Sequence, residues 1–370
     1  MKPAAKRALL LVVSLVISAA ALVWFAKTMS GHWDEMGVAF AAARYHWLGP
    51  AVGFIAVSYV CRILRWRLFL SRLAKVEYGA LTSATLIGFM SSVVLPLRAG
   101  EFIRPFVLHR KSGISFGHAV GSDAGLARVF DMLFGMGFLF FLAWGWMMLD
   151  PSALGAQASA EAGTELLAEH LRMLATHPAF VGLFAVSLVG LVTVAAFPRI
   201  VVQVGGLFLR TFPASWQHPL MGFLQAVVES LQFLRSPLRT AGAVLLTMGV
   251  WLSYCSAAWC VARGSGAELS MLPLVVIQVI VMVAIILPQA PGFLGVFPAA
   301  AMKGAQLFGI AQGPAAAFAL MLWAVHTMPI TAVGLGCLWY EGLSLSTLAR
   351  ASRTAADRTE QAVEAGEEGS

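Results

Sequence analysis

Charge is what this sequence has least of. Asp, Glu, Lys and Arg make up 12% of its 370 residues, while hydrophobic residues make up 59% and mean hydropathy is +0.81. An ordinary soluble domain is roughly one-quarter charged. So little charge cannot cover a water-exposed surface, which excludes a soluble enzyme or binding module as the body of the chain and leaves an integral membrane protein. Cysteine is nearly as scarce. Cys61, Cys255, Cys260 and Cys337 sit in or at the edge of apolar runs with neither CxxC nor metal-ligand spacing, which excludes a disulfide scaffold or zinc site and makes them small packing residues. Catalytic signatures are also lacking: there is no HExxH, GxSxG or Walker loop, and no carboxylate pair outside a plausible salt bridge. The expectation is a protein that is not an enzyme, takes no cofactor or metal and is not an ATP-driven pump. The net charge of +7 is the kind that cytoplasmic loops of a multi-pass protein carry, so no nucleic-acid partner is expected.

What the chain has instead is long apolar runs. Spans of about 20 residues are needed to cross a bilayer, and runs that can do so fall at about 8–26, 47–64, 116–149, 179–197, 238–262 and 314–340. The first follows Lys2, Lys6 and Arg7 and is longer than a signal-peptide core, so a retained helix is expected. Two further runs, 81–97 and 271–287, each end in Leu-Pro (VVLPLRAGE and AIILPQAPGFLG) and lead into a glycine-bearing stretch and a weaker apolar segment. Their likeness suggests an internal repeat in which both segments enter the membrane and leave on the same side.

Charge placement agrees with that topology. Lys and Arg concentrate at the N-terminus, in 62–80, 98–112 and 198–240 and after 341, whereas Lys27, Arg44, Arg172, Arg263 and Lys303 fall on the other side. The expected fold class is therefore an all-α polytopic membrane protein. It has about six full transmembrane helices plus two re-entrant Leu-Pro segments in an inverted-topology repeat. Both termini are cytoplasmic in a bacterial-type inner (plasma) membrane. Residues 1–344 form the transmembrane domain and 345–370, without aromatics, a disordered tail. Residues 150–178 read as an outside segment. Met221, Leu224, Val228, Leu231 and Leu234, at helical spacing with Gln225, Glu229 and Gln232 between, read as a helix lying on the inner membrane surface.

The strongest chemical signal is Arg98, Glu101 and Arg104 immediately after Pro96, with Arg110 and Lys111 beyond. Proline and Gly100 disfavour a continuous helix, and irregular backbone at membrane depth is tolerated only where protein buries it or water reaches it. The stretch 96–104 is thus expected to turn or unwind and to line a cavity. Its guanidinium groups suit a lipid phosphate; the alternative is an ordinary positive-inside loop. Arg128 and Asp131, three apart within a span, with Asp123 a turn earlier, form an intramembrane charge pair, functional or structural. Gly117, Gly121 and Gly125 form a small-residue stripe that suggests a close helix contact. In the second Leu-Pro stretch, Gln289 and Gly292 can present polar groups to a headgroup, or the stretch can be a structural plug. His326, mid-span before Pro329, is either a proton carrier or a hydrogen-bonded packing residue.

The runs PLRAGEFIRPFVLHRKSGISFGHAVGSDAGLARVFD, RILRWRLFL and LPQAPGFLGVF resemble the lysylphosphatidylglycerol synthase transmembrane family, also called the flippase-like domain family. Pro96, Arg98, Gly100, Glu101, Arg104, Arg128 and Asp131 match in order, and the resemblance spans roughly residues 10–342. It implies an inner-membrane protein that moves a charged or glycosylated lipid, with a phosphate headgroup, between leaflets. The family's soluble aminoacyl-transferring domain has no counterpart here, so lysyl transfer is not implied. Ala127 and Pro298 stand where the family commonly has Glu, so no headgroup role for those acids carries over. Two other classes compete: a membrane accessory for a separately encoded lipid-modifying enzyme, and an integral-membrane transferase using Glu101 or Asp131 as base.

Overall fold

The computed structural model describes residues 19–71, 73–95, 100–122, 196–209, 236–285 and 291–344, with isolated positions between. Among the described residues every element is helical. Three are long and apolar enough to cross a membrane. The first is α3 (Leu48–Leu70), which with the 3-10 turn Tyr45–Trp47 makes a 26-residue segment. The second is α8 (Pro237–Ser265) and the third α11 (Gln312–Tyr340), each of 29 residues. Local chemistry sets their ends. Pro237 starts α8, where its fixed φ suits the first turn and its missing N–H is not needed. Gly266, at φ 78°, ends it in the left-handed conformation that glycine adopts without strain.

Around these lie shorter helices: α1 (Ala19–Thr28), α2 (Trp33–Ala41), α4 (Tyr78–Val94), α5 (Gly100–Ser112), α6 (Phe116–Val120), α7 (Pro198–Leu209), α9 (Met271–Ala284) and α10 (Val296–Leu307). Helix α2 was not anticipated. The runs 116–149 and 179–197, most of 8–26, and the segments 150–178 and 345–370 lie largely or wholly outside the described residues.

Both Leu-Pro runs form pairs of short helices. Helix α4 packs along α5, and α9 along α10. None of the four, at 17, 13, 14 and 12 residues, has the length of an ordinary span. The break at the first is shorter than expected. The chain is helical again from Gly100, so Glu101 and Arg104 project from a regular helix with Pro105 inside it, not from unwound backbone as 96–104 suggested.

Small residues let these pairs close, as packing in an apolar solvent requires. A Cβ on Gly100 would overlap the Gly88 carbonyl oxygen and Ser92, and one on Gly88 would overlap the aliphatic part of Arg104. Gly334 of α11 meets Met90 and the Leu86 carbonyl of α4 in the same way. Gly100→Ala is therefore expected to cost about 1–3 kcal/mol, as overpacking does, read as a lower unfolding temperature in detergent. Gly117→Ala is the control: a Cβ there meets nothing within 4 Å, so the close contact suggested for that glycine is not made.

The core has two main clusters. One gathers Phe25, Met29, Leu274, Phe297 and an alanine-rich stretch of α11 around α8 to α11. The other gathers Trp66, Leu81, Ile87, Met90, Ile103 and Leu108 around α3 to α5. The 221–234 stripe faces protein rather than the membrane surface. Val228 and Leu231 are buried, and Leu231 and Leu234 pack with Phe69, Phe130 and Ala243, while Glu229 reaches His118 at 2.7 Å. The regular apolar spacing was real, but its partner was the helix bundle.

At one end, Glu341, just past α11, is bonded to Lys111 of α5, and Ser83 of α4 donates to it at 2.6 Å. The Lys111 and Ser83 hydrogen bonds hold the Glu341 carboxyl below its usual range. A carboxyl with a depressed folded value contributes stability that is full above its ordinary titration and lost as pH falls through the depressed value. Glu341→Gln should thus lower the unfolding temperature near neutral pH and leave it unchanged in acid; a difference that persists in acid counts against the clamp.

Candidate functional site

A cavity of about 450 Å³ lies between the two clusters, walled by α3, α4, α5, α8, α9, α10 and α11. Both Leu-Pro pairs reach it: Ser92, Val93, Glu101 and Arg104 from the first, Ile285, Phe293 and Phe297 from the second. The volume is within the roughly 300–1,000 Å³ of small-molecule sites.

Its floor is ionic. Arg65, 2% exposed on α3, forms a two-pronged contact with Asp131, Nη1 donating to Oδ1 at 2.6 Å and Nη2 to Oδ2 at 3.2 Å, and Nη1 also donates to Thr247 Oγ1 at 3.0 Å. Arg62, one turn earlier, stands 3.5 Å from Asp131 Oδ2 and donates to the Tyr254 hydroxyl at 3.3 Å. The planar fork of arginine is suited to holding a carboxylate this way. Arg104 enters from α5 across Gly88, its guanidinium carbon 4.3 Å from the Phe89 ring centre and 5.3 Å from that of Trp66. Arg62 stands over Phe89 and Tyr254 at 5.3 and 5.4 Å. Aromatic faces stabilise guanidinium groups kept from water. Among the described lining residues, three guanidinium groups face two carboxylates, Glu101 and Asp131, leaving one net positive charge.

The opposite wall is aromatic and holds His326. Its ring stacks on Tyr254 with centres 5.3 Å apart and a 20° tilt, and lies 5.6 Å from Phe297. Gln278 of α9 donates to the Tyr254 carbonyl at 3.0 Å. Pro329 interrupts the bonding ladder of α11 near here, and the Thr327 and Thr331 hydroxyls each bond back to a carbonyl four residues earlier, at 2.7 Å.

Of the residues singled out from sequence, Glu101, Arg104 and Asp131 meet in this cavity. Arg98, Gln289 and Arg128 lie outside the described residues, as does Asp123. The described partners of Asp131 are Arg65 and Arg62, not its neighbour in sequence. Gly292, at φ 81°, gives its carbonyl to Trp323 Nε1 at 2.7 Å, and the adjacent Phe293 lines the cavity. Sequence reasoning missed Arg62 and Arg65, having taken them for loop anchors; they ride on the last turns of a span longer than the apolar run 47–64. Their spacing of three, beside Trp66, was the available signal.

Residues 11–334 match the family described as the lysylphosphatidylglycerol synthase TM region. The chain belongs to this family. It is thus a membrane protein of a lipid-related, flippase-like family, as the cavity between apolar helices suits. The chain is also 26% identical over 323 residues to "Glycosyltransferase AglD" of Haloferax volcanii, an alignment covering 84% of this chain and 51% of that protein. The chain therefore spans about half the length of this relative. No solved structure matches it. The family match includes both Leu-Pro pairs and every described charged residue of the cavity.

Proposed function

We propose that the protein moves a phosphate-bearing lipid between the leaflets of a membrane, with the headgroup held in the central cavity. The observation that carries this reading is the placement of Arg62, Arg65 and Arg104 in one cavity enclosed by apolar helices. Charge within a membrane is costly and is kept where it pairs or faces a polar route. Arg65 is committed to Asp131, a structural counter-charge that orders the floor. Arg62 and Arg104 then offer guanidinium donors to a phosphate. Asp131, gripped by two guanidinium groups, is placed as an anchor and not as a general base, which favours a transporter over a transferase.

In this reading the paired short helices are re-entrant segments from opposite faces, their broken tips meeting at the cavity. Movement of one half against the other opens it to each side in turn. Arg98 and Arg104 receive the headgroup from the cytoplasmic side, and both termini are cytoplasmic. Leaflet exchange of labelled phospholipids and polyprenyl-phosphate lipids in liposomes holding only this protein tests it. Protein-dependent exchange is the expected result, and none for any lipid, with the protein folded, would overturn it. The printed name of the Haloferax relative favours a second reading, a membrane partner for a separately encoded lipid-modifying enzyme, whose sign is stable co-purification with that enzyme.

A further inference from the structure

Two buried polar atoms of the cavity wall, Arg62 Nε and His326 Nε2, have no hydrogen-bond partner among the described residues. An unmade bond on a buried polar atom costs about 1–3 kcal/mol, so a partner from outside the protein is the economical reading of such atoms. The two are chemically opposite. Arg62 Nε only donates. His326 Nδ1 lies 2.8 Å from the Leu322 carbonyl oxygen, which only accepts, so the ring proton is on Nδ1 and Nε2 presents a lone pair.

Tyr254 fixes the distance between them. Its ring stacks on His326 and its hydroxyl accepts from Arg62, so donor and acceptor stand one tyrosine side chain apart along the same wall. A phosphate at the arginine end therefore has a hydrogen-bond acceptor within reach of whatever it is esterified to. The side of the cavity around that acceptor is uncharged, formed by Tyr254, Gln278, Phe297 and Thr327.

We propose that the lipid's phosphate carries an uncharged, hydroxyl-bearing group, a sugar or a glycerol, and that His326 Nε2 accepts a hydrogen bond from one of its hydroxyls. This rests on the phosphate-lipid reading and narrows it. Arg62 and Arg104 hold the phosphate, and the aromatic wall receives the hydroxylated part. A cationic, aminoacylated headgroup is disfavoured: the described charges leave the cavity positive, and the Asp131 carboxylate is already taken by Arg65 and Arg62. Like charges repel strongly where water is excluded, which selects between headgroups as firmly as attraction does.

Binding, measured apart from transport, tests this. The protein in nanodiscs is titrated with a polyprenyl monophosphate, the same lipid with a hexose on its phosphate, phosphatidylglycerol, and the lysyl ester of phosphatidylglycerol. One neutral hydrogen bond contributes about 0.5–1.5 kcal/mol, so at least one hydroxylated lipid should bind about 3- to 10-fold tighter than the bare monophosphate, and the lysyl ester should bind more weakly than phosphatidylglycerol. Whether the hexose or the glycerol lipid is preferred names the source. His326→Phe, which keeps the ring stack and loses the lone pair, should erase the preference without changing affinity for the monophosphate; His326→Gln should retain part of it. Equal affinity for hydroxylated and bare lipids, preference for the lysyl ester, or equal loss for every lipid in His326→Phe would overturn the proposal. A hydroxyl preference without leaflet exchange would leave it standing and remove the transport reading.

Discussion

Arg65→Met is expected to lower the unfolding free energy of the purified protein by about 3–5 kcal/mol, the cost of stranding a buried charge by deleting its partner. The charge in question is Asp131, which loses both prongs of its Arg65 contact and keeps only the longer approach of Arg62. Thr247 loses its donor from Arg65 as well. The informative comparison is Arg65→Met with Asp131→Asn. Removing both charges of a buried pair is far cheaper than removing one, so the double variant should recover most of the loss. An unfolding temperature unchanged in Arg65→Met, or a double variant no better than the single, would show that this pair does not organise the floor of the cavity.

Arg104→Gln is the second large effect, and here the loss falls on function. Arg104 reaches the cavity from α5, over Gly88 and against the Phe89 and Trp66 rings. Glutamine keeps much of the side chain's bulk while removing the charge. A hydrogen bond to a charged group contributes about 1.5–3 kcal/mol, so exchange of a phosphate lipid in liposomes should fall about 10- to 100-fold. Arg104→Lys keeps the charge without the planar fork and should fall between. Equal exchange by wild type and Arg104→Gln, both folded, would take Arg104 out of the headgroup site.

The two predictions divide the cavity's arginines by role, a division sequence could not make. Glu101 and Arg104 were visible because they follow a proline break, and charge beside a break in an apolar run is rare. Arg62 and Arg65 were hidden because they sit near the end of an apolar run, where a positive residue ordinarily anchors to headgroups. Asp131 was visible as a charge within a span, but its described partners come from a helix some sixty residues earlier. His326 was visible as a lone histidine, and only the neighbours of its two ring nitrogens tell which carries the proton. The 221–234 stripe shows the reverse: helical spacing correctly found an apolar face, and the pattern carried no information on whether lipid or protein would cover it.

What the sequence by itself determined is the solvent and the local geometry. Few charges and long apolar runs demand a bilayer, the length of each run sets which helices can cross, and proline followed by glycine sets where they break. These follow from hydrophobic length and from covalent limits on the backbone, which act over a few residues. What only the tertiary structure decided is which charges meet. Gly88 and Gly100 bring α4 and α5 close enough to lay Arg104 across the cavity, and the packing of α3 against α8 sets Arg65 beside Thr247 and Arg62 beside Tyr254. Pairing between distant charges depends on how helices pack, and a one-dimensional pattern of polarity does not encode it.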